Sequence, residues 1–276
     1  MTHNLKPVAD RIRAEYKPRM LDFTALEVGI GECYAQNLRR LRAEFGWGQM
    51  TISDVMGVSR TQYRNYEQGG SFPKMSTTAR FMQVTGVPFP YFFLGSAYES
   101  LFSTLHIRSD WLPLQIFAGR ASDIQFAALV DILEEHLDRK LAKPEILTVF
   151  SWPEATDVQA ELDQYYELVA QGLRQFREVV GCSQDDMAEM LGTTQRTLCR
   201  YEDSGEEPHF SVVMALRLWA ATGIAPIWLM YGTCFFRMRM LQHQRMGFLG
   251  SLLNDVPARS REQITNLVRQ VSRLTL

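Results

Sequence analysis

The sequence predicts an all-α protein: two related units in tandem, each a set of short helices, with additional amphipathic helices after each unit. Three observations carry this. Residues 35–69 recur as residues 170–204, an offset of 135, with ten of 35 positions identical. Within each copy, apolar residues repeat at helical spacing and glycines interrupt them. Each copy also holds two short helices joined by a tight, glycine-containing turn.

Residues 1–34 read as a charged N-terminal extension. Their first twenty residues hold no apolar core of about 7–15 residues, so no secretory signal is expected. Residues 35–95 form the first unit. Leu38, Leu41 and Phe45 line one helix face, and Gly46 stops that helix. Gln49 opens a second helix with Ile52, Val55 and Met56 inward, and Gly57 makes the turn. Ser59 is the N-cap of a third helix, Arg60 to about Gln68, closed by Gly69-Gly70. Residues 96–164 read as a helical connector. Ile124, Ala127, Ala128, Ile132 and Leu133 give a helix over about 122–142, ended by Pro144, and residues 146–157 read as a linker.

Residues 165–232 form the second unit. The identities are Ala35/Ala170, Gln36/Gln171, Leu38/Leu173, Arg39/Arg174, Arg42/Arg177, Gly46/Gly181, Gln49/Gln184, Gly57/Gly192, Tyr66/Tyr201 and Glu67/Glu202. Thr194 takes the cap position before a helix from Gln195 to about Asp203. After a two-residue insertion, PIWLMYG answers PYFFLG. Leu218–Phe236 carries no charge over 19 residues and imitates a membrane span. Gly223, Pro226 and Gly232 interrupt it, so it reads as a fourth helix, a turn and a fifth helix anchored by Trp228 and Leu229. Phe92, Phe93 and Leu94 are the counterparts in the first unit. In the C-terminal segment, residues 233–276, Ile264, Leu267, Val268, Val271 and Leu274 give another amphipathic helix. The whole half, about 30–143 and 165–276, then becomes the suspected repeat. Its amphipathic helices either dimerise or pack on their own unit; an apolar stripe does not distinguish these.

At about 150 residues per domain, 276 residues suit two domains. Four cysteines without a CxxC pair argue against a disulfide scaffold and a structural zinc, and suit reduced thiols in the cytoplasm. His3, His106, His136, His209 and His243 have no metal-ligand spacing. No phosphate loop or nucleophile elbow is present, so neither an enzyme nor a cofactor is expected. The net charge of −2 hides an asymmetry: 0, +4, −7, −4 and +5 over residues 1–34, 35–95, 96–164, 165–232 and 233–276. Only charges near phosphates release counterions, so the first unit and the C-terminal segment suit nucleic acid. For Arg259, Arg261, Arg269 and Arg273 a solvated face competes with phosphate contact.

LRRLR followed by GQMTISDVMGVSRTQYRNYEQG, and GCSQDDMAEMLGTTQRTLCRYED, resemble the Cro/C1-type helix-turn-helix of the XRE regulators. The resemblance covers both units and implies two tandem lambda-repressor-like five-helix domains. It implies structural salt bridges Arg42–Glu67 and Arg177–Glu202. It also implies a third helix that enters the major groove of double-stranded DNA. In the first unit Arg60, Thr61, Arg64 and Asn65 would face bases, with Gln49 and Ser59 on phosphates and Arg39 and Arg40 adding backbone charge. In the second, Gln195, Arg196 and Arg200 suit bases, and Gln184 and Thr194 suit phosphates. There Cys199 replaces a longer polar residue, and Asp185, Asp186 and Glu189 make the preceding helix acidic. Three readings stay open for this unit: it reads DNA, it docks a protein, or its acidic helix contacts RNA polymerase. The implied function is transcriptional regulation, by default repression, of a phage or mobile-element kind, with a homodimer as one arrangement. The alternatives are activation, or sequestration of a repressor, toxin or polymerase subunit. Only 44 residues follow Gly232, too few for a self-cleaving protease domain, so self-cleavage is not expected.

Overall fold

The computed structural model describes residues 6–100, 111–138, 153–203, 210–254 and 256–275. Among these residues the chain is helical and forms no strand beyond one isolated bridge. The first half runs α1 (Lys6–Glu15), α2 (Phe23–Leu26), α3 (Ile30–Phe45), α4 (Gln49–Met56), α5 (Arg60–Glu67), α6 (Met75–Thr85), a 3-10 helix (Phe89–Phe93), α7 (Leu112–Arg120) and α8 (Asp123–Leu137). The second runs α9 (Ala155–Asp163), α10 (Tyr165–Val180), α11 (Gln184–Met190), α12 (Gln195–Glu202), α13 (Val212–Thr222), a 3-10 helix (Pro226–Met230), α14 (Cys234–Asn254) and α15 (Ala258–Thr275).

Local chemistry sets the boundaries. Gly46, Gly57 and Gly181 take the left-handed conformation just past α3, α4 and α10, at φ of 65°, 67° and 69°. Ser59 and Thr194 accept the backbone N–H of Gln62 and Thr197 and so start α5 and α12. Ser183 and Asp186 form a capping box on α11, so Asp186 holds its own helix end.

Several expectations change. The proposed fifth helices are short 3-10 helices of five residues, Phe89–Phe93 and Pro226–Met230. The connector helix is α8, which ends at Leu137 with Asp138 left-handed at φ 46°. Pro144 and residues 146–152 of the expected linker lie outside the described residues, and helix α9 starts at Ala155, inside that stretch. The N-terminal extension contains two helices, and α3 starts five residues before the expected boundary. The apolar face expected on the connector helix is not the one that packs. Ile124, Ala127, Ala128 and Ile132 are exposed, and of that set only Leu133 is buried, on the face that Phe126, Leu129 and Val130 form with it. On α15 Ile264 and Val268 are buried and Leu267 is exposed. The buried faces do not stay on their own unit. Trp111, Phe117, Phe126, Leu129 and Leu133 share one core with Leu249, Leu253, Ile264 and Val268 from the other half. Buried Arg245 of α14 ties them together, donating to the Ala118 and Ala121 carbonyls and to Asp123.

The halves meet through equivalent positions. Past the insertion the offset is 137, which relates α6 to α13 and Lys74 to Ser211. Lys74 and Ser211 form the antiparallel bridge. Met75 N–H donates to the Phe210 carbonyl at 2.8 Å, and its counterpart Val212 N–H donates to the Pro73 carbonyl at 3.3 Å. Ion pairs also cross in both directions, from equivalent arginines to carboxylates that are not themselves equivalent. Arg217 of α13 reaches Glu27 at 2.6 Å, and its counterpart Arg80 of α6 reaches Asp163 at 2.8 Å. Exchange of like contacts between like positions is the signature of a twofold interface, here within one chain.

One position shows how closely helix and turn approach. A Cβ at Gly172 of α10 would sit 1.8 Å from the Leu229 carbonyl oxygen. In the first unit Asn37 stands there instead, and its amide donates to the Phe92 and Leu94 carbonyls. Backbone cannot give way as a side-chain tip can, so Gly172→Ala is expected to cost about 3 kcal/mol or more. Gly247→Ala, with open space around its Cβ, is expected to be neutral or stabilising by up to about 1 kcal/mol. Thermal unfolding of the two variants checks both.

Candidate nucleic-acid interface

Helices α4 and α5 cross at the Gly57 turn and are held by one buried carboxylate. Glu67, at the end of α5, is buried. It accepts from Arg42 Nε at 2.6 Å, Tyr63 Oη at 2.7 Å and Gln49 Nε2 at 2.8 Å. Arg39 of α3 donates to the Glu67 backbone carbonyl and pairs with Glu32 at 2.9 Å. Burial alone would push the Glu67 carboxyl up. The hydrogen bonds from Arg42, Tyr63 and Gln49 outweigh it and hold the group below the usual carboxylate range. Three helices are thereby fixed at one point.

The second unit repeats this construction. Glu202 is buried and accepts from Arg177 Nε at 2.8 Å and Gln184 Nε2 at 2.8 Å. Arg174 donates to the Glu202 carbonyl at 2.6 Å. Leu198 stands where the first unit has Tyr63. The Cys199 thiol turns inward to Gln184 Oε1 at 3.1 Å, whereas its counterpart Arg64 is exposed.

The expected base-facing residues fall on exposed surface. Arg60, Thr61, Arg64 and Asn65 are exposed on α5, with Ser59 at its start. Gln195, Arg196 and Arg200 are exposed on α12, beside Thr194. Gln49 and Gln184 are half-buried, each with its amide on the network carboxylate. The start of α11 is closed by the Ser183–Asp186 capping box, which puts a carboxylate beside Gln184, whereas no side chain caps the start of α4 beside Gln49. Asp185 and Glu189 are exposed on α11. Of the C-terminal arginines, Arg269 is engaged by Glu44 of α3 at 2.8 Å; the Arg273 side chain lies outside the described residues. The helix-tying roles of Arg39, Arg174, Gln49 and Gln184 were missed. Their identity between the copies, where the DNA-facing positions differ, was the available signal.

Residues 34–89 match the family model of a helix-turn-helix domain. The match spans α3 to the first 3-10 helix, the segment that carries the Glu67 network. The chain is also similar to a protein of Bacillus subtilis (strain 168) named SPbeta prophage-derived uncharacterized HTH-type transcriptional regulator YonR. The two are 24% identical over 111 residues, 37% of this chain and 99% of that protein. No solved structure matches. Among the described residues no helix is long and apolar enough to cross a membrane. The uncharged Leu218–Phe236 stretch is divided between α13, a 3-10 helix and the start of α14.

Proposed function

We propose that this chain is a sequence-specific DNA-binding transcriptional regulator of the Cro/C1 type. In this reading two recognition helices, α5 and α12, belong to one chain and address two unlike half-sites. The observation that carries it is the pairing of equivalent positions at Lys74 and Ser211. In this reading it pairs α5 with α12 as the two recognition helices of a symmetric dimer are paired. The DNA backbone has twofold symmetry of its own, so a paired reader suits it. The faces differ, with Arg64-Asn65 on one helix and Cys199-Arg200 on the other, and an asymmetric operator follows. The internal pairing also takes the place of a homodimer. Repression is the default mode, since it needs only occupancy of the operator. The similarity to a prophage-derived regulator supports a mobile-element setting.

A second reading has its own observation. The inward turn of Cys199 thins the base-reading face of α12, while Asp185 and Glu189 remain exposed on α11. This favours α11 as a docking face for RNA polymerase or another regulator.

The test is selection of fragments of the source genome by the purified chain, with sequencing of what is retained. One enriched motif with two unlike halves is expected, bound by one chain per site, with affinity falling steeply as salt rises. Retention without a motif sinks the operator reading. Two chains per site sink the internal-pair reading.

A further inference from the structure

The two halves line a half-open cleft of about 670 Å³, within the size range of small-molecule sites. Part of its apolar wall is built from equivalent positions. Met82 and Phe89 come from the first half, and their counterparts Trp219 and Pro226 from the second. Phe89 and Trp219 stack across the junction with ring centroids 6.3 Å apart.

The charged part of the wall is lopsided. Arg11, Lys17, Arg19 and Arg239 line it, against one carboxylate among the described lining residues, Glu15. That carboxylate is already bound by Arg11 at 2.8 Å, and Arg11 also lies over the Trp228 ring at 4.8 Å. Arg239 is held differently. Its guanidinium donates to the Gln242 side-chain oxygen and to the Val87 carbonyl at 3.1 Å, and reaches the Met82 carbonyl at 3.5 Å. All three are neutral. Among the described residues no carboxylate lies within ion-pair distance of it. Burial pushes its pKa down to about 9, so it stays protonated at neutral pH. Arg239 is half-buried at the cleft wall. A partly desolvated cation with no carboxylate beside it is unfavourable, and an incoming anion relieves it.

We propose that this cleft binds an organic anion with an apolar body, its acid group on Arg239 and its body against Phe89 and Trp219. The proposal does not depend on the DNA reading, and its test uses the chain without DNA. Dodecanoate, dodecanol and dodecyltrimethylammonium are each titrated into the full chain below their micellar range. Binding is read from the fluorescence of Trp219 and Trp228, both in the wall. Dodecanoate is expected to bind about tenfold or more tighter than dodecanol, with the cation weakest. Arg239→Met is expected to remove the preference, and Arg239→Lys to keep most of it. Equal affinity for dodecanoate and dodecanol overturns the proposal, as does the absence of saturable binding. So does an undiminished preference in a folded Arg239→Met chain. The charge preference is read in the unaltered protein, so it stands even where the variant fails to fold.

Discussion

A chain carrying Arg60→Ala and Arg64→Ala together is expected to lose affinity for its selected DNA site by about a hundredfold or more. A guanidinium paired with a guanine edge contributes about 1–3 kcal/mol of discrimination, and each 1.4 kcal/mol is about tenfold. Both side chains are exposed on α5, outside the Glu67 network. The melting temperature should therefore stay within about 2 °C of the parent. Fluorescence anisotropy of the selected fragment gives the affinity, and circular dichroism gives the fold. The salt slope should flatten too, because two cations leave the interface. A folded double variant that keeps the parent's motif and affinity sinks the role given to α5.

The parallel variant in the second unit, Arg196→Ala with Arg200→Ala, separates the two readings of that unit. If α12 reads bases, discrimination relaxes in the half-site away from α5, and the other half keeps its preference. If α11 docks a protein instead, both half-site preferences survive. The effect should be smaller than in the first unit, since Cys199 stands in place of Arg64 and turns inward.

The first three helices of each unit and the turn glycines were legible in the sequence, and the family resemblance implied both ion pairs, for a physical reason. Most positions identical between the copies are those that build the unit rather than those that touch DNA. Ala35, Ala170, Leu38 and Leu173 are fully buried. Arg39, Arg42, Gln49 and Glu67 form one hydrogen-bonded cluster, as their counterparts do. How the halves meet was not legible. The Lys74–Ser211 bridge uses backbone groups, which leave no mark on residue type. The stripe read on α8 fell on its exposed face, because small and apolar residues occur all round that helix. The face that packs, Phe126, Leu129, Val130 and Leu133, meets α14 and α15 of the other half. The cleft was hidden because its wall residues are scattered from Arg11 to Met246.

Removing either network carboxylate is expected to be strongly destabilising. In Glu202→Ala the Arg177 guanidinium, only 18% exposed, loses its counter-charge, and Gln184 loses its acceptor. Breaking a fully buried pair costs about 3–5 kcal/mol. The partial access of Arg177 to water reduces that, so about 2–4 kcal/mol is expected in urea unfolding. Replacing both partners, Arg177→Met with Glu202→Leu, should recover much of the loss, because no charge is then stranded. A double variant as unstable as Glu202→Ala would show that the Gln184 contact and the packing at the helix crossing, rather than the charge pair, carry the effect. The first unit adds a pH dependence. Glu67 titrates lower when folded than when unfolded, so its contribution is present above the unfolded value, about 4.3. It is lost as pH falls through the folded value. The stability gap between the parent and Glu67→Gln should therefore be open at neutral pH and close in acid below about pH 4. A gap that stays constant across that range would mean the carboxylate's charge is not what ties α3, α4 and α5 together.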